Sequence, residues 1–367
     1  MVDPAVAVNL LWCVPGVVGG SEDYLVRQLL GLAESDRQFR VTLYVVDGFT
    51  AAHSDLGELF PTVTAVFDGT SRARRIAGEA TWFRKQTSSA DLRHHGGGTA
   101  PTLATRPYLL TIHDLQYLTY PEYFSRTKRM YLAAMIRGSV RRARVVTVPS
   151  EYVRGSVIDA YGADPASVRV VPHGFEPDLL RDITAEDELR TRYSLGAGPV
   201  IVYPAMTHPH KNHRFLIELL ASKWLDPELR LVLIGGTGAA EHEVRQATDP
   251  RIRRLGRVSA SDRNGLLRMA EAMVFPSQYE GFGAPLIEAM ALGCPVIASD
   301  TTCIPAVVDG TGLVLPLVAD AWADALERVS GDRATMIAAG RERAASFTAR
   351  ASGAALAEAY NAALERS

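Results

Sequence analysis

The sequence contains few cysteines and no excess of charge of either sign. Its 367 residues include only Cys13, Cys294 and Cys303, without any CxxC spacing. A disulfide framework is therefore excluded, and a structural zinc site is not expected. Lys and Arg number 39 against 41 Asp and Glu, which gives a formal net charge of -2. Because nucleic-acid binding depends on an excess of basic residues, we expect no nucleic-acid partner.

Long apolar runs are also missing. A transmembrane helix needs about 18 consecutive apolar residues, and the one candidate, residues 5–20, is shorter and contains Asn9 and Pro15. No Lys or Arg precedes this stretch, so it does not resemble a signal peptide. We expect a buried strand that ends at a glycine loop, in a protein of the reducing cytoplasm.

Short apolar runs alternate with helical segments through most of the chain. The length predicts about two domains. Apolar strands that are separated by helices, such as 21–33 and 213–225, indicate parallel sheets covered on both faces. We therefore predict an α/β protein with two such sheets. The predicted strands are residues 5–14, 41–46, 108–112, 145–149, 168–172, 199–204, 230–235, 273–276 and 295–298.

Two irregular stretches interrupt this alternation. Residues 173–198 are acidic and broken by Pro and Gly, which predicts the domain boundary. Residues 86–107 contain HHGGGTAPT and predict a loop, either mobile or simply at the surface. The tail, 351–367, predicts a final helix.

Two segments of the first half have the pattern of a ligand site at the carboxyl end of a strand. The loop PGVVGG carries Gly19 and Gly20, where a backbone without side chains can approach a ligand, and Ser21 is predicted to cap the next helix. His113 and Asp114 directly follow an apolar strand. Both segments also fit purely structural roles, as a tight turn and as a hydrogen-bonded pair that fixes a loop.

A third segment, HPHKNH, follows the strand that ends near Pro204. Lys211 precedes a helix that Asn212 is predicted to cap, so its ammonium would lie beside a positive helix end and attract an anion. The histidines do not indicate a metal site, because no acidic residue stands among them and no cysteine is near.

The fourth segment, PSQYEGFGAPLIEAMALGCPVIAS, carries the most information. Pro285 suits the first position of a helix and Gly293 its end. Glu280 lies in the preceding loop, and Glu288 is predicted in the first helical turn. Carboxylates accept hydrogen bonds from sugar hydroxyls, and N–H groups at a helix start bind phosphate. The combination predicts a nucleotide-sugar site, although Glu288 can also simply complement the helix dipole. The N–H groups are those of Gly283, Ala284 and Leu286.

These residues resemble retaining glycosyltransferases of the GT-B fold, in family 4 (group 1), and its mannosyltransferase-like members in particular. The spacing of Glu280 and Glu288 within the fourth segment carries the resemblance. Further matching segments follow in the family's order: GG at 19–20, HD at 113–114, VVPHGF at 170–175 and LGRVS at 255–259.

The resemblance implies two Rossmann-like domains that face a central cleft. Residues 1–172 would form an N-terminal acceptor-binding domain, and residues 173–350 a C-terminal domain that binds the nucleotide-sugar. The helix 351–367 would return to the N-terminal domain.

The resemblance also implies roles for the site residues. Lys211 would neutralise the donor diphosphate, Glu288 would hold the ribose hydroxyls, and Glu280 would hold the transferred sugar with the backbone of Phe282 and Gly283.

Five further residues would surround the donor. His113 would lie near the sugar 6-hydroxyl, the turn at Gly19 and Gly20 would approach the diphosphate, and Arg257 and Val258 would lie near the base.

The sequence departs from the family at two positions. The usual Arg six residues before the lysine is Ala205 here, so His208 or His210 would supply a second cation, or the leaving group is less stabilised. The usual Pro-Glu is Pro305-Ala306, which leaves base or acceptor contacts there open.

No cofactor and no divalent metal are expected, because no DxD-type pair stands in the donor segments. No carboxylate is placed as a covalent nucleophile either. The implied mechanism is front-face substitution, in which the departing phosphate takes the proton of the acceptor hydroxyl.

We predict a hexose donor, with GDP-mannose first and a UDP- or dTDP-sugar as the alternative. The acceptor would be a hydroxyl of a glycan, glycolipid or small molecule. A basic helical segment at 126–144 fits either a solvated face or peripheral contact with the inner face of an anionic membrane. Lesser alternatives are a non-catalytic scaffold of the same fold and a nucleotide-sugar epimerase. The oligomeric state is not predicted.

Overall fold

The computed structural model describes residues 3–175 and 177–365, and the chain divides into two units. Unit 1 comprises Met1–Gly174 and Thr348–Ser367, and unit 2 comprises Phe175–Phe347. Each unit contains one parallel sheet, which confirms the α/β prediction. The assignment of acceptor and donor to these two units stays a prediction.

The sheet of unit 1 contains seven strands among the described residues. They are β1 (Ala5–Asn9), β2 (Arg40–Val45), β3 (Thr62–Thr64), β4 (Leu92–His95), β5 (Tyr108–Thr111), β6 (Val145–Val148) and β7 (Val168–Val170). Their order is β3-β2-β1-β4-β5-β6-β7, and every neighbouring pair is parallel. Apart from β1, the predicted strands of this unit differ from the observed ones by no more than two residues at either end.

β1 is shorter than predicted, because the chain turns after Asn9 and not near Val14. The side-chain oxygen of Asn9 accepts a hydrogen bond from the Leu11 N–H at 3.1 Å. The Trp12 indole N–H donates to the Asn9 carbonyl, also at 3.1 Å. Leu10, Leu11 and Trp12 stay buried although they have left the sheet. Their apolar character therefore reflects a buried turn, which the sequence pattern does not distinguish from a strand.

β4 contradicts the prediction of a loop over 86–107. This strand lies between β1 and β5, near the middle of the sheet. It is polar in sequence but buried, and its side chains find partners elsewhere in the fold. His94 bonds the Tyr360 hydroxyl through Nδ1 and the Thr111 hydroxyl through Nε2, both at 2.7 Å. Because these partners are distant in sequence, no local pattern reveals the strand.

Helices connect these strands and cover the sheet. They are α1 (Gly20–Ala33), α2 (Phe49–Ala52), α3 (Ser54–Leu59), α4 (Arg72–Gly78), a π-helix (Glu79–Phe83), α5 (Arg84–Gln86), α6 (Gln116–Thr119), α7 (Arg126–Val140) and α8 (Glu151–Tyr161).

On α7, Arg126, Lys128 and Arg137 are exposed and form no ion pair with another described residue. Contact of this helix with a membrane stays a prediction.

The unit 2 sheet contains six strands among the described residues, also all parallel. They are β8 (Val200–Pro204), β9 (Arg230–Ile234), β10 (Ile252–Gly256), β11 (Ala272–Phe275), β12 (Val296–Ser299) and β13 (Leu313–Leu315), in the order β10-β9-β8-β11-β12-β13. β3, β10 and β13, which the sequence pattern did not predict, lie at sheet edges or are three residues long.

The helices of unit 2 follow the strands in the same alternation. They are α9 (Glu186–Arg192), α10 (His213–Ser222), α11 (Glu241–Gln246), α12 (Ala260–Met269), α13 (Ala284–Leu292), α14 (Ile304–Val308), α15 (Ala319–Trp322) and α16 (Ala325–Ala344). Over the described part of the chain, no helix combines the length and the hydropathy that a membrane crossing requires.

The last helix, α17 (Ala349–Glu365), belongs to unit 1, where it packs against α1. Two glycines make the close approach possible: a Cβ at Gly353 would lie 2.1 Å from the carbonyl carbon of Gly31. Leu356 and Tyr360 join the core beneath β1 and β2. The predicted helix returns to the N-terminal unit, and its predicted residues 366–367 lie outside the described part.

The buried His94 makes stability depend on pH. Burial lowers its pKa to about 3, whereas an unfolded histidine has a pKa near 6.5. Between these values the unfolded chain binds more protons than the folded protein. We therefore expect the free energy of unfolding to fall as the pH drops below about 6.5, by up to ~1.4 kcal/mol per pH unit for this group.

Urea titrations at pH 7 and pH 5 measure this dependence. His94→Gln should make the loss of stability between the two pH values smaller, and the same change at the exposed His242 of α11 should not. An equal loss in His94→Gln and the wild-type protein would contradict the assignment.

Candidate functional site

Three neighbouring strands of unit 2 bring the predicted donor residues to one edge of the sheet. β8, β11 and β12 are adjacent and parallel, so their carboxyl ends lie side by side. The segments that follow them contain Lys211, Glu280 and Thr302 respectively. Residues that are some 70 to 90 positions apart in sequence can therefore meet.

Lys211 and Glu280 form an ion pair, with 2.5 Å between Nζ and Oε1. Their side chains are only 18% and 10% exposed, so water screens the pair little. The ammonium also lies 5.7 Å from the centre of the Phe275 ring. Each group holds the other in place, and removing either partner leaves a poorly solvated charge.

α13 begins beside this pair, as the sequence predicted. Gly283 is its N-cap, with a φ of 87° that favours glycine, and Pro285 occupies the first turn. Gly293 ends the helix in the left-handed conformation. One part of the prediction is wrong: the Leu286 N–H donates to the Gly283 carbonyl at 2.9 Å and is not available to a ligand.

The N–H groups of Gly283 and Ala284 remain at the start of α13. No described residue accepts a hydrogen bond from either of them. Both point from a positive helix end, which makes this turn suited to an anion or a hydroxyl oxygen.

Glu288 lies in the second turn of α13, not in the first turn as predicted, because the helix begins at Ala284. Its carboxylate is 5% exposed and lies 3.8 Å from Nη1 of Arg263 on α12. It is therefore too far along the helix to act mainly on the N-terminal dipole. Its predicted contact with ribose hydroxyls stays a prediction.

The segment before α10 differs from its prediction in two respects. Asn212 stands at the N-cap with a φ of 55°, but its side chain makes no capping hydrogen bond. Burial and the neighbouring Lys211 lower the pKa of His210 to about 3, so its imidazole is neutral at physiological pH. In this state it does not supply the second cation that would compensate for Ala205, and the role of His208, the other candidate, stays a prediction. Among the described residues, no group of His, Cys, Asp and Glu could hold a metal ion.

A hydrogen-bond network that the sequence did not reveal supports the lysine side of the site. The Tyr203 hydroxyl donates to the Lys211 carbonyl at 2.7 Å and lies 3.2 Å from the Ser277 hydroxyl. Ser299 and Thr301 both donate to the Ser277 carbonyl, at 2.5 Å and 2.8 Å. The ends of β8, β11 and β12 are thus tied to one another and to the backbone of Lys211.

The segment after β12 also fixes the backbone of Glu280. The Glu280 N–H donates to Oγ1 of Thr302 at 3.2 Å, and the Cys303 thiol donates to the Glu280 carbonyl at 3.3 Å. Thr302 has a φ of 52°, which is unfavourable for a β-branched residue. Such strain often marks functional sites. Ser, Thr and Cys next to a strand end were the available signal, but it is too common to interpret alone.

Arg257 and Val258 directly follow β10 at the same edge of the sheet. Arg257 is exposed, and its Nε would lie 3.2 Å from a Cβ at Gly236. Val258 packs partly against the core. Their predicted place near the base stays a prediction, and so does the role of Phe282, which packs against Phe347 with 5.6 Å between ring centres.

In unit 1, the predicted glycine turn leads directly into α1. Gly19, with a φ of 77°, is the N-cap and the helix begins at Gly20, so Ser21 is not the cap as predicted. Apart from the chain neighbours and the backbone of α1, no atom of the residues that the structure describes lies within 4 Å of where a Cβ would stand at Gly19 or Gly20. Their backbone is therefore open on that side.

His113 is neutral and has a defined tautomer. Burial lowers its pKa, against the opposing effects of the Gly96 hydrogen bond and the Asp114 charge. Nε2 lies 2.7 Å from the Gly96 carbonyl oxygen. Because a carbonyl only accepts, Nε2 carries the hydrogen and Nδ1 carries the lone pair. The ring can thus accept a hydrogen bond from a hydroxyl.

Breaking the ion pair should reveal its coupling energy. We expect Lys211→Met and Glu280→Gln each to lower the free energy of unfolding by about 1–3 kcal/mol, because each leaves a partly buried charge without its partner. The double variant should lose less than the sum of the single losses. Urea unfolding of the four proteins measures this, and simple additivity would show that the pair is not coupled.

Two family models match the sequence. Glycosyltransferase Family 4 covers residues 18–179, and Glycosyl transferases group 1 covers residues 198–332.

Two curated relatives are identical to this chain at about a third of the aligned positions. O-antigen chain mannosyltransferase B of Escherichia coli is 30% identical over 212 residues, which is 56% of each chain. A GDP-mannose-dependent alpha-(1-6)-phosphatidylinositol monomannoside mannosyltransferase of Mycobacterium tuberculosis is 34% identical over 220 residues, 54% of this chain and 56% of that one. The chain thus matches somewhat more than half the length of these relatives.

Solved structures match over nearly the whole chain. One is the crystal structure of Anabaena HepE in complex with UDP and glucose, with a TM-score of 0.76 at 19% identity. The alignment covers 98% of this chain and 99% of the HepE chain. Another is WaaG, a glycosyltransferase involved in lipopolysaccharide biosynthesis, with a TM-score of 0.72 at 16% identity. The alignment covers 96% of this chain and 98% of the WaaG chain. At these identities the likeness shows the fold alone. With two parallel-sheet units and both family models in place, the chain belongs to the family 4 (group 1) glycosyltransferases of the GT-B fold.

Proposed function

We propose that this protein transfers a hexose from a nucleoside-diphosphate sugar to a hydroxyl group of an acceptor, with retention of the anomeric configuration. The observation that carries the proposal is the buried Lys211–Glu280 pair beside the open N–H groups at the start of α13. A cation and a helix end suit a diphosphate, and an adjacent carboxylate suits sugar hydroxyls.

Each group of unit 2 then has one task. Lys211 and the N–H groups of Gly283 and Ala284 bind the diphosphate, and Glu280 accepts hydrogen bonds from the transferred sugar. Glu288 accepts hydrogen bonds from the ribose. When the donor binds, the ammonium of Lys211 exchanges part of its contact with Glu280 for a phosphate oxygen, which leaves the carboxylate free to turn toward the sugar.

The chemistry follows from where charge develops. The bond between the anomeric carbon and the diphosphate oxygen breaks, and negative charge grows on the phosphate, where Lys211 and the helix end stabilise it. The acceptor oxygen attacks from the same face, and its proton passes to the departing diphosphate. Neither a divalent metal nor a covalent carboxylate intermediate is part of this proposal.

For the donor we propose GDP-mannose. The two curated relatives support this choice, since both are mannosyltransferases and one is GDP-mannose-dependent. The alternative is a UDP-sugar, which is favoured by the UDP and glucose bound to Anabaena HepE.

Donor binding tests the proposal without any acceptor. We expect thermal stabilisation by one sugar among GDP-mannose, UDP-glucose and dTDP-glucose, and we expect it to survive EDTA. Lys211→Met should weaken binding about ten- to hundredfold, because a charge-assisted hydrogen bond to phosphate is lost. Lys223→Met, on the opposite end of α10, is the matched control and should bind normally. No stabilisation by any donor would contradict the proposal and favour a scaffold.

Stereochemistry tests the mechanism separately. We expect an α-linked product from an α-linked donor. The one-bond ¹³C–¹H coupling at the anomeric carbon reports the configuration by NMR, because the H1–H2 proton coupling of a mannoside is small in both anomers. A β-linked product would exclude front-face substitution, and so would a glycosyl-enzyme adduct detected by mass spectrometry of the intact protein.

A further inference from the structure

Unit 1 contains a cavity of about 200 Å³ that no step above uses. It lies where β4 and β5 end, since its lining includes Gly97 and Gly98 after the first strand and Ile112 to Asp114 after the second. The carboxyl edge of a parallel sheet is where such folds bind ligands. α7 closes the cavity on another side with Leu132 and Ile136, which are four residues apart and share a helix face.

The lining is divided by polarity and exposure. The members nearest to water are polar: Asp114 is exposed, and Ser21, Thr99 and His113 are half-buried. One carboxylate oxygen of Asp114 accepts from the Gln116 N–H at 2.9 Å, and no described residue donates to the other oxygen. This rim therefore offers hydrogen-bond acceptors, including Nδ1 of His113, to a hydroxyl group.

The inner wall is apolar. Ile112, Tyr117 and Ile136 are 1%, 5% and 5% exposed, and Phe124 and Leu132 complete the wall as half-buried side chains. Tyr117 contributes only its ring, because its hydroxyl is hydrogen-bonded to that of Tyr161. A sugar hydroxyl placed against this wall would lose its water without gaining a partner, which is costly.

We propose that this cavity binds an amphiphilic acceptor, with the hydroxyl-bearing head at the Asp114 and His113 rim and the first carbons of an alkyl chain against Leu132, Phe124 and Ile136. This assignment rests on the proposed transfer reaction and names the substrate class that the reaction takes. A free, fully polar sugar satisfies the rim but leaves the wall uncovered, whereas an alkyl glycoside satisfies both.

The chain-length dependence of binding tests this directly. Methyl, butyl, hexyl and octyl α-D-mannopyranosides, and the same series of glucosides, are titrated into the full chain by calorimetry below their micellar concentrations. We expect Kd to fall about fourfold per methylene over the first few carbons, as burial of a CH₂ group predicts. The gain should then level off when the wall is covered.

Leu132→Ala identifies where the alkyl chain binds. It should reduce the affinity ratio between hexyl and methyl glycosides roughly fivefold, because the methyl glycoside covers least of this wall. Met130→Ala is the matched control, because Met130 is 64% exposed on the same helix and does not line the cavity. Circular dichroism and melting curves confirm that both variants are folded.

Two results would overturn the proposal: equal affinity, or none, for short- and long-chain glycosides in both series, or a chain-length effect that Leu132→Ala leaves intact. These titrations contain no donor and require no turnover. Their failure is therefore distinguishable from failure of the transfer proposal, which donor stabilisation tests without an acceptor.

Discussion

Parallel pairing of the strands is the constraint on which both units depend. A parallel strand must be followed by a crossover, and the crossovers here are mostly helices that cover the sheet faces and remove its strands from water. The same constraint gathers every strand-to-helix segment at one edge. In unit 2 this edge brings Lys211, Glu280 and Thr302 together, and in unit 1 it brings Gly97 beside His113. The chemistry of the protein is therefore concentrated in segments that contribute little to the cores.

Within that edge, the Lys211–Glu280 pair shows how a cation can be fixed in surroundings that water reaches only in part. The carboxylate of Glu280 holds the ammonium of Lys211 in place. The hydrogen bonds of Tyr203 and Thr302 fix the backbones of the two residues. In the proposed reaction, a diphosphate would replace one anionic partner of Lys211 by another, so little rearrangement of the protein would be needed.

The sequence predicted the parts of this arrangement that local chemistry determines. The start and end of α13 follow from Gly283, Pro285 and Gly293, because each of these residues restricts or relaxes its own backbone. The buried strand β4 and the network around Ser277 could not be predicted in this way. Their polar side chains are stable only because partners arrive from distant segments, and a single sequence does not record which segments meet.

The same limit applies to finer details of the site. Whether the Leu286 N–H is free depends on the turn that Gly283 makes, and the protonation of His210 depends on how deeply it is buried. Both are properties of the folded backbone and its packing. The resemblance to a family supplied the candidates, and the geometry separated those that remain available to a ligand from those already engaged.

The return of α17 to unit 1 has a consequence for biosynthesis. Tyr360 and Leu356 complete the core that β1 and α1 begin, yet they leave the ribosome after all of unit 2. At 5–20 residues per second, the roughly 190 residues from Phe175 to the end of this helix at Glu365 take about 10–40 s to synthesise. During that interval the groove at Gly31 is uncovered while unit 2 can already fold. The N-terminal unit of this protein is thus the one that finishes last, and a nascent chain interrupted late in translation would present its apolar surface to chaperones.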